Sequence, residues 1–288
     1  LSNYQQNPLI TTGVISAATT QNMVFAVAAD PVVPTVGLSG WPNYLAMGTI
    51  SSGVPSSEPT DQRIDSIFTY NGTGGDGDPG RIESPYKIYN MMTMGKAIRD
   101  KTGYAVNPSL VEYQWQLSGG WNPSDVEDTD RLTKHFFNLM FLADTLQTQA
   151  PELTGTHGTI LLSPDLLGFI GNTNRQADVE ALKINVNQAV AQASCMMTKQ
   201  VDFSQETSCT YAWDKQQITL NGTVRDLMPW LKAKTDNYTA GMAFADCVGG
   251  AVVAKCTNAV APAGTPTFSN NFNGWIQAQN YLAKKYGP

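Results

Sequence analysis

Apolar positions along this chain follow two periods. Short apolar runs of strand length are separated by longer stretches in which apolar residues recur every three or four positions. Met23 to Ala29 is a nearly continuous apolar run ending at Asp30-Pro31, and Ile64 to Tyr70 runs into the glycine-rich stretch Asn71 to Gly80. Both read as strands that feed loops. Ser84-Pro85 opens a segment carrying Tyr86, Ile88, Tyr89, Met91, Met92, Met94 and Ile98, closed by Gly103. Proline in the first turn and glycine at the end predict a helix there. Asn107-Pro108 introduces the β-prone run Ser109 to Leu117, broken at Gly119-Gly120. The acidic stretch Asp125 to Asp130 leads into Leu132, Phe136, Leu139, Met140, Ala143 and Leu146. That stripe predicts a helix with carboxylates at its positive end, capped most simply by Asp125 and finishing before Pro151. Gly158 to Leu162 then reads as a buried strand running into Ser163-Pro164-Asp165.

Strand, helix, strand, helix, strand in this order predicts parallel βα units with right-handed crossovers. The expected fold class is α/β, a (β/α) TIM-like barrel forming a single domain over residues 1–288. Ala177 to Met197 reads as a helix, residues 199–221 and 246–266 as insertions, and Trp275 to Tyr286 as a closing helix that stops at Gly287-Pro288. Only about five strands are legible where a closed barrel needs seven or eight. Either further strands lie in the polar C-terminal half, or a further segment of the same polypeptide completes an incomplete or distorted barrel.

Composition narrows the partners. With 18 Lys+Arg against 24 Asp+Glu the net charge is −6, and no basic cluster exceeds the pair Lys284-Lys285, which argues against a nucleic-acid partner. No apolar run approaches the length of a membrane span. The chain starts at Leu1, consistent with removal of a leader, and its low charge with abundant Asn, Thr and Gly suits a secreted or periplasmic protein. Cys195 lies near Cys209 and Cys247 near Cys256, without the CxxC spacing of zinc sites. Two short-loop disulfides are the preferred reading, with four buried thiols as the alternative.

In parallel α/β architectures the chemistry sits where strands end, which selects Asp30, Asp76 and Asp78, Glu112 and Asp165. Glycoside hydrolysis uses two carboxylates, one protonated and one ionised, and Glu112 with Asp165 is the expected pair. Trp41, Tyr70, Tyr113, Trp115 and Trp121 fall near strand ends, where flat rings could stack on sugars; each could equally be core. Asp76 and Asp78 could offer oxygens to a cation, but the EF-hand pattern is absent, and no metal or cofactor is expected. His135 and His157 are the only histidines, no Gly-x-Ser-x-Gly elbow occurs, and no GxGxxG or Walker loop follows a strand. Asn71, Asn221 and Asn237 match the glycosylation acceptor pattern.

Ile160-Leu-Leu-Ser-Pro-Asp-Leu-Leu-Gly-Phe-Ile170 resembles the Val-Ile-Glu-Pro-Asp-Ser-Leu-Gly-Asn strand and loop of family-six glycoside hydrolases, the inverting cellulases. The preceding unit, Ser109 to Gly120 and its long helix, is similar in layout to the strand bearing that family's catalytic Asp. The resemblance covers about 60 residues and implies a distorted α/β barrel acting on β-linked glucans, with Asp165 as the motif's Asp. The motif's Glu is Ser163 here, and no Asp-Cys loop follows Tyr113. The expected function is a secreted glycoside hydrolase with a carbohydrate substrate. The alternative is a non-catalytic carbohydrate-binding or surface-interaction protein on a degenerate barrel.

Overall fold

The computed structural model describes residues 47–50, 63–72, 86–115, 120–198, 201–202, 209–212, 217–220, 223–226 and 256–287. Four strands form one parallel sheet in sequence order: β1 (Gly48–Ile50), β2 (Ser66–Gly72), β3 (Asn107–Tyr113) and β4 (Thr159–Leu162). The strands after β2 and β3 are reached through helices, α1 (Tyr86–Thr102) and α3 (Thr129–Thr154), with the short α2 (Ser124–Glu127) before α3. This is the parallel α/β arrangement that alternating strand and helix patterns require. The strand Met23 to Ala29 expected from sequence lies outside the described residues. β1, which sequence periodicity missed, has only three residues, too few to show a period.

α3 organises the core. Leu132, Phe136, Phe137, Leu139, Met140, Phe141, Leu142, Ala143 and Leu146 are buried around its whole circumference, so it is covered on more than one side. It contacts α1 and β3 as well as α6 (Val186–Thr198) and α7 (Phe272–Tyr286). Its cap is Asp128, whose carboxylate accepts from the amides of Asp130 (2.9 Å) and Arg131 (3.2 Å). Asp125 does not cap this helix; it is buried in α2, where it accepts from Asn122 and pairs with Arg131 at 3.1 Å. The helix also runs through Pro151 to a left-handed Gly155. Proline removes the amide that would meet the Gln147 carbonyl, and His157 Nδ1 takes that place at 3.3 Å. The helix can therefore pass a residue that in the sequence alone signals its end.

Downstream, the single helix expected over Ala177 to Met197 is two, α5 (Gln176–Ala181) and α6, parted at 182–185, with α4 (Leu166–Asn172) before them. Leu182 and Ile184 are buried in that break, so apolar residues continued the pattern while the backbone turned. The region read as an insertion over 199–221 holds three strands of a separate antiparallel sheet, β5 (Val201–Asp202), β6 (Cys209–Ala212) and β7 (Gln217–Leu220), and the fourth, β8 (Thr223–Asp226), lies just beyond it.

Sequence locality misled the cysteine pairing. Cys195 on α6 bonds to Cys256, 61 residues away, with Cα atoms 5.9 Å apart, so it is not paired with Cys209, nor Cys256 with Cys247. Gln188 and Gln192 on the same helix both donate to the Thr257 carbonyl, at 2.8 and 3.1 Å. Docking of this segment on α6 brings the two sulfurs within bonding geometry. A loop of that length makes the cross-link worth about 4 kcal/mol in the chain-entropy picture. Cys247 and the side chain of Cys209 lie outside the described residues. No helix among the described residues is long and apolar enough to cross a membrane.

Candidate functional site at the C-terminal end of the parallel sheet

Side chains alternate between the faces of a strand, and partners in register share a face. Asn71 is in register with Glu112, and Tyr70 with Val111. Ile67, two steps of the same parity before Asn71, is buried and lies near Gly95 of α1. The face carrying Ile67, Leu110, Asn71 and Glu112 is therefore the helix-covered one. Phe68, Tyr70, Val111 and Tyr113 belong to the other face.

On the covered face, Glu112 is fully buried and accepts a hydrogen bond from Asn71 Nδ2 at 2.7 Å. A carboxylate withdrawn from water needs such donors to remain tolerable. Asn71, counted in the sequence among glycan acceptors, is itself buried at this bond. Its partnership with Glu112 was missed because the strand was read as ending at Tyr70, two residues short of its end at Gly72. Parity from Thr69 onward could have placed it.

On the opposite face, Phe68, Tyr70 and Tyr113 form an aromatic row. The Tyr70 and Tyr113 rings are near-parallel with centres 6.2 Å apart, and Phe68 meets Tyr70 edge-on at 5.6 Å. Tyr70 is 40% exposed and Leu161 41%, so apolar surface on this face reaches solvent. Tyr113 OH donates to Asp165 Oδ2 at 2.5 Å. Partial burial and then the Asp165 carboxylate push the Tyr113 hydroxyl up to about 12, so it remains a donor at any physiological pH. Asp165 precedes α4 without capping it through its side chain; its carboxylate is committed to Tyr113 instead.

The turn that delivers Asp165 begins at Ser163, which is buried and has a φ of 38°. For a residue with a Cβ that left-handed backbone costs about 1–2 kcal/mol. Three bonds fix it: Ser163 N to the Glu112 carbonyl (2.8 Å), Leu166 N to the Ser163 carbonyl (3.0 Å) and Gln114 N to Ser163 Oγ (3.3 Å). Ser163 thus ties the end of β4 to the end of β3.

The structure brings together Tyr70, Tyr113 and Asp165. It does not bring Glu112 to them: that carboxylate sits on the covered face with Asn71. Trp115 is fully buried, packed against the partly buried Trp121 at 4.7 Å and against Trp275 at 6.0 Å. Trp115 is therefore core, and Trp121 borders it. Asp30, Trp41, Asp76 and Asp78 lie outside the described residues. Among the described residues no group of three or more His, Cys, Asp or Glu is placed to hold a metal ion. Compared with known proteins, the chain matches no family model, no curated protein and no solved structure.

Proposed function

We propose that the open face at the end of the parallel sheet binds carbohydrate, as the non-catalytic or weakly catalytic ligand surface of a barrel-type α/β domain in a secreted or periplasmic protein. The observation that carries this is the Tyr70 and Tyr113 ring pair with Asp165 hydrogen-bonded at its rim. Aromatic faces pack on the apolar faces of pyranose rings, while a carboxylate accepts from sugar hydroxyls. Parallel strands in unbroken sequence order support the barrel, and the Cys195–Cys256 bond supports an oxidising compartment. Hydrolysis, the reading favoured by the sequence, keeps Asp165 as one carboxylate. It requires a second on the same face, at the separation that retaining or inverting chemistry sets.

A panel of β- and α-linked polysaccharides, assayed for binding and for reducing-end release, tests both. The expected result is binding without release, weakened about tenfold by Tyr113→Ala. Release abolished by Asp165→Asn would replace the binding reading with the hydrolase. Neither binding nor release from any polysaccharide would end the carbohydrate reading.

A further inference from the structure

Among the described residues several buried hydrogen-bond donors lack an acceptor, and Trp115 meets one of the others, Trp275, on α7. Trp115 and Trp275 are both fully buried, their rings crossing at 85° with centres 6.0 Å apart, and the indole Nε1 of each is unpartnered. Gln279, one helical turn beyond Trp275 and so beside it on α7, is buried with its Nε2 unpartnered. Gln114, the neighbour of Trp115 in the chain, is buried with both amide atoms unpartnered. Toward solvent, the partly buried Trp121 packs on Trp115 at 4.7 Å. The Arg175 guanidinium lies 5.8 Å from the Trp121 ring centre, and its buried Nε also lacks a partner.

Natural proteins pair nearly all buried polar atoms, and each exception calls for an explanation. Here the atoms share a sign. Trp115, Trp275, Gln279, Gln114 and Arg175 each offer an N–H, and the Gln114 Oε1 is the sole acceptor among these unpartnered atoms. A hydroxyl accepts through its lone pairs but also brings a proton that needs an acceptor of its own, whereas a carboxylate brings only lone pairs. We propose that Trp115, Trp275 and Gln279 form an interior site for a small carboxylate, which enters past Trp121 and Arg175. The site uses none of Tyr70, Tyr113 and Asp165 and does not depend on the carbohydrate reading.

The test titrates the full chain with acetate, lactate and glucuronate, with glucose as the neutral control, following tryptophan emission and Tm. The expected result is an emission shift and a raised Tm with at least one carboxylate and not with glucose. Its apparent Kd should weaken about tenfold in Trp275→Phe and in Gln279→Leu, each of which removes a donor to a charged group. No response to any of the three carboxylates overturns the proposal, as does a response that both substitutions leave unchanged. If both substitutions lower the Tm while carboxylates change nothing, the donors serve buried water and the proposal also fails.

Discussion

Glu112 and Tyr113 are neighbours on one strand with opposite surroundings. Glu112 is sealed among the helices with Asn71 as donor, whereas Tyr113 joins Tyr70 and Asp165 on the open face. Both lie at a strand end, and both have chemistry that a cleft could use. Parity separates them, because a single step along a strand exchanges the faces of a sheet. A carboxylate on the covered face acts on the fold, and one on the open face can meet a solute.

The largest expected effect is on stability. Glu112→Ala should cost about 4 kcal/mol in denaturant unfolding, since it leaves a cavity and strands the Asn71 amide. Asp165→Ala, which removes one bond at the surface, should cost under about 1 kcal/mol. Equal losses from the two substitutions would erase the distinction between the faces. The buried His135 of α3 gives the next effect. Burial, and then the charges of Arg131 and Lys134, lower its pKa to about 4, below the 6.5 of the unfolded chain. Between those values the unfolded state binds the extra proton, so stability is present above pH 6.5 and is lost as pH falls toward 4, by about 3 kcal/mol. His135→Gln should flatten the Tm against pH across that window relative to the parent chain. An unchanged slope would mean that acid acts on other groups.

Much of the parallel framework was legible. Strand Ile64 to Tyr70, helix Tyr86 to Gly103 and strand Gly158 to Leu162 carry strong periods with proline or glycine punctuation, and they fold within about two residues of the expected limits. The misreadings share a cause in tertiary context. Pro151 signals a helix end, but His157 supplies what the proline removes. Leu182 and Ile184 keep an apolar rhythm through a break, because buried turns need apolar residues too. Cys195 finds Cys256 because α6 docks on the segment at Thr257. At the site, residue type and strand-end position singled out Tyr70, Tyr113 and Asp165, and the structure places the three side chains in contact. They could not place Glu112, because its face depends on where the strand is counted from.

The smallest effect separates a bonded Asp165 from one that is merely close. Tyr113 is held up to about 12 by partial burial and by the carboxylate it donates to, so its ionisation should trail that of an ordinary tyrosine. Subtracting the alkaline absorbance titration of Tyr113→Phe from that of the parent isolates this one hydroxyl. In an Asp165→Asn background the same difference titration should move down toward 10, because the charge and the charge-assisted bond are gone while the burial remains. The sign is fixed: a raised folded pKa favours the fold below the unfolded value and loses that advantage as pH rises through the folded one. A titration that stays high after Asp165→Asn would assign the shift to burial alone. The aromatic row would then stand without its carboxylate, and the open face would be an apolar patch rather than a ring pair with an acceptor at its rim.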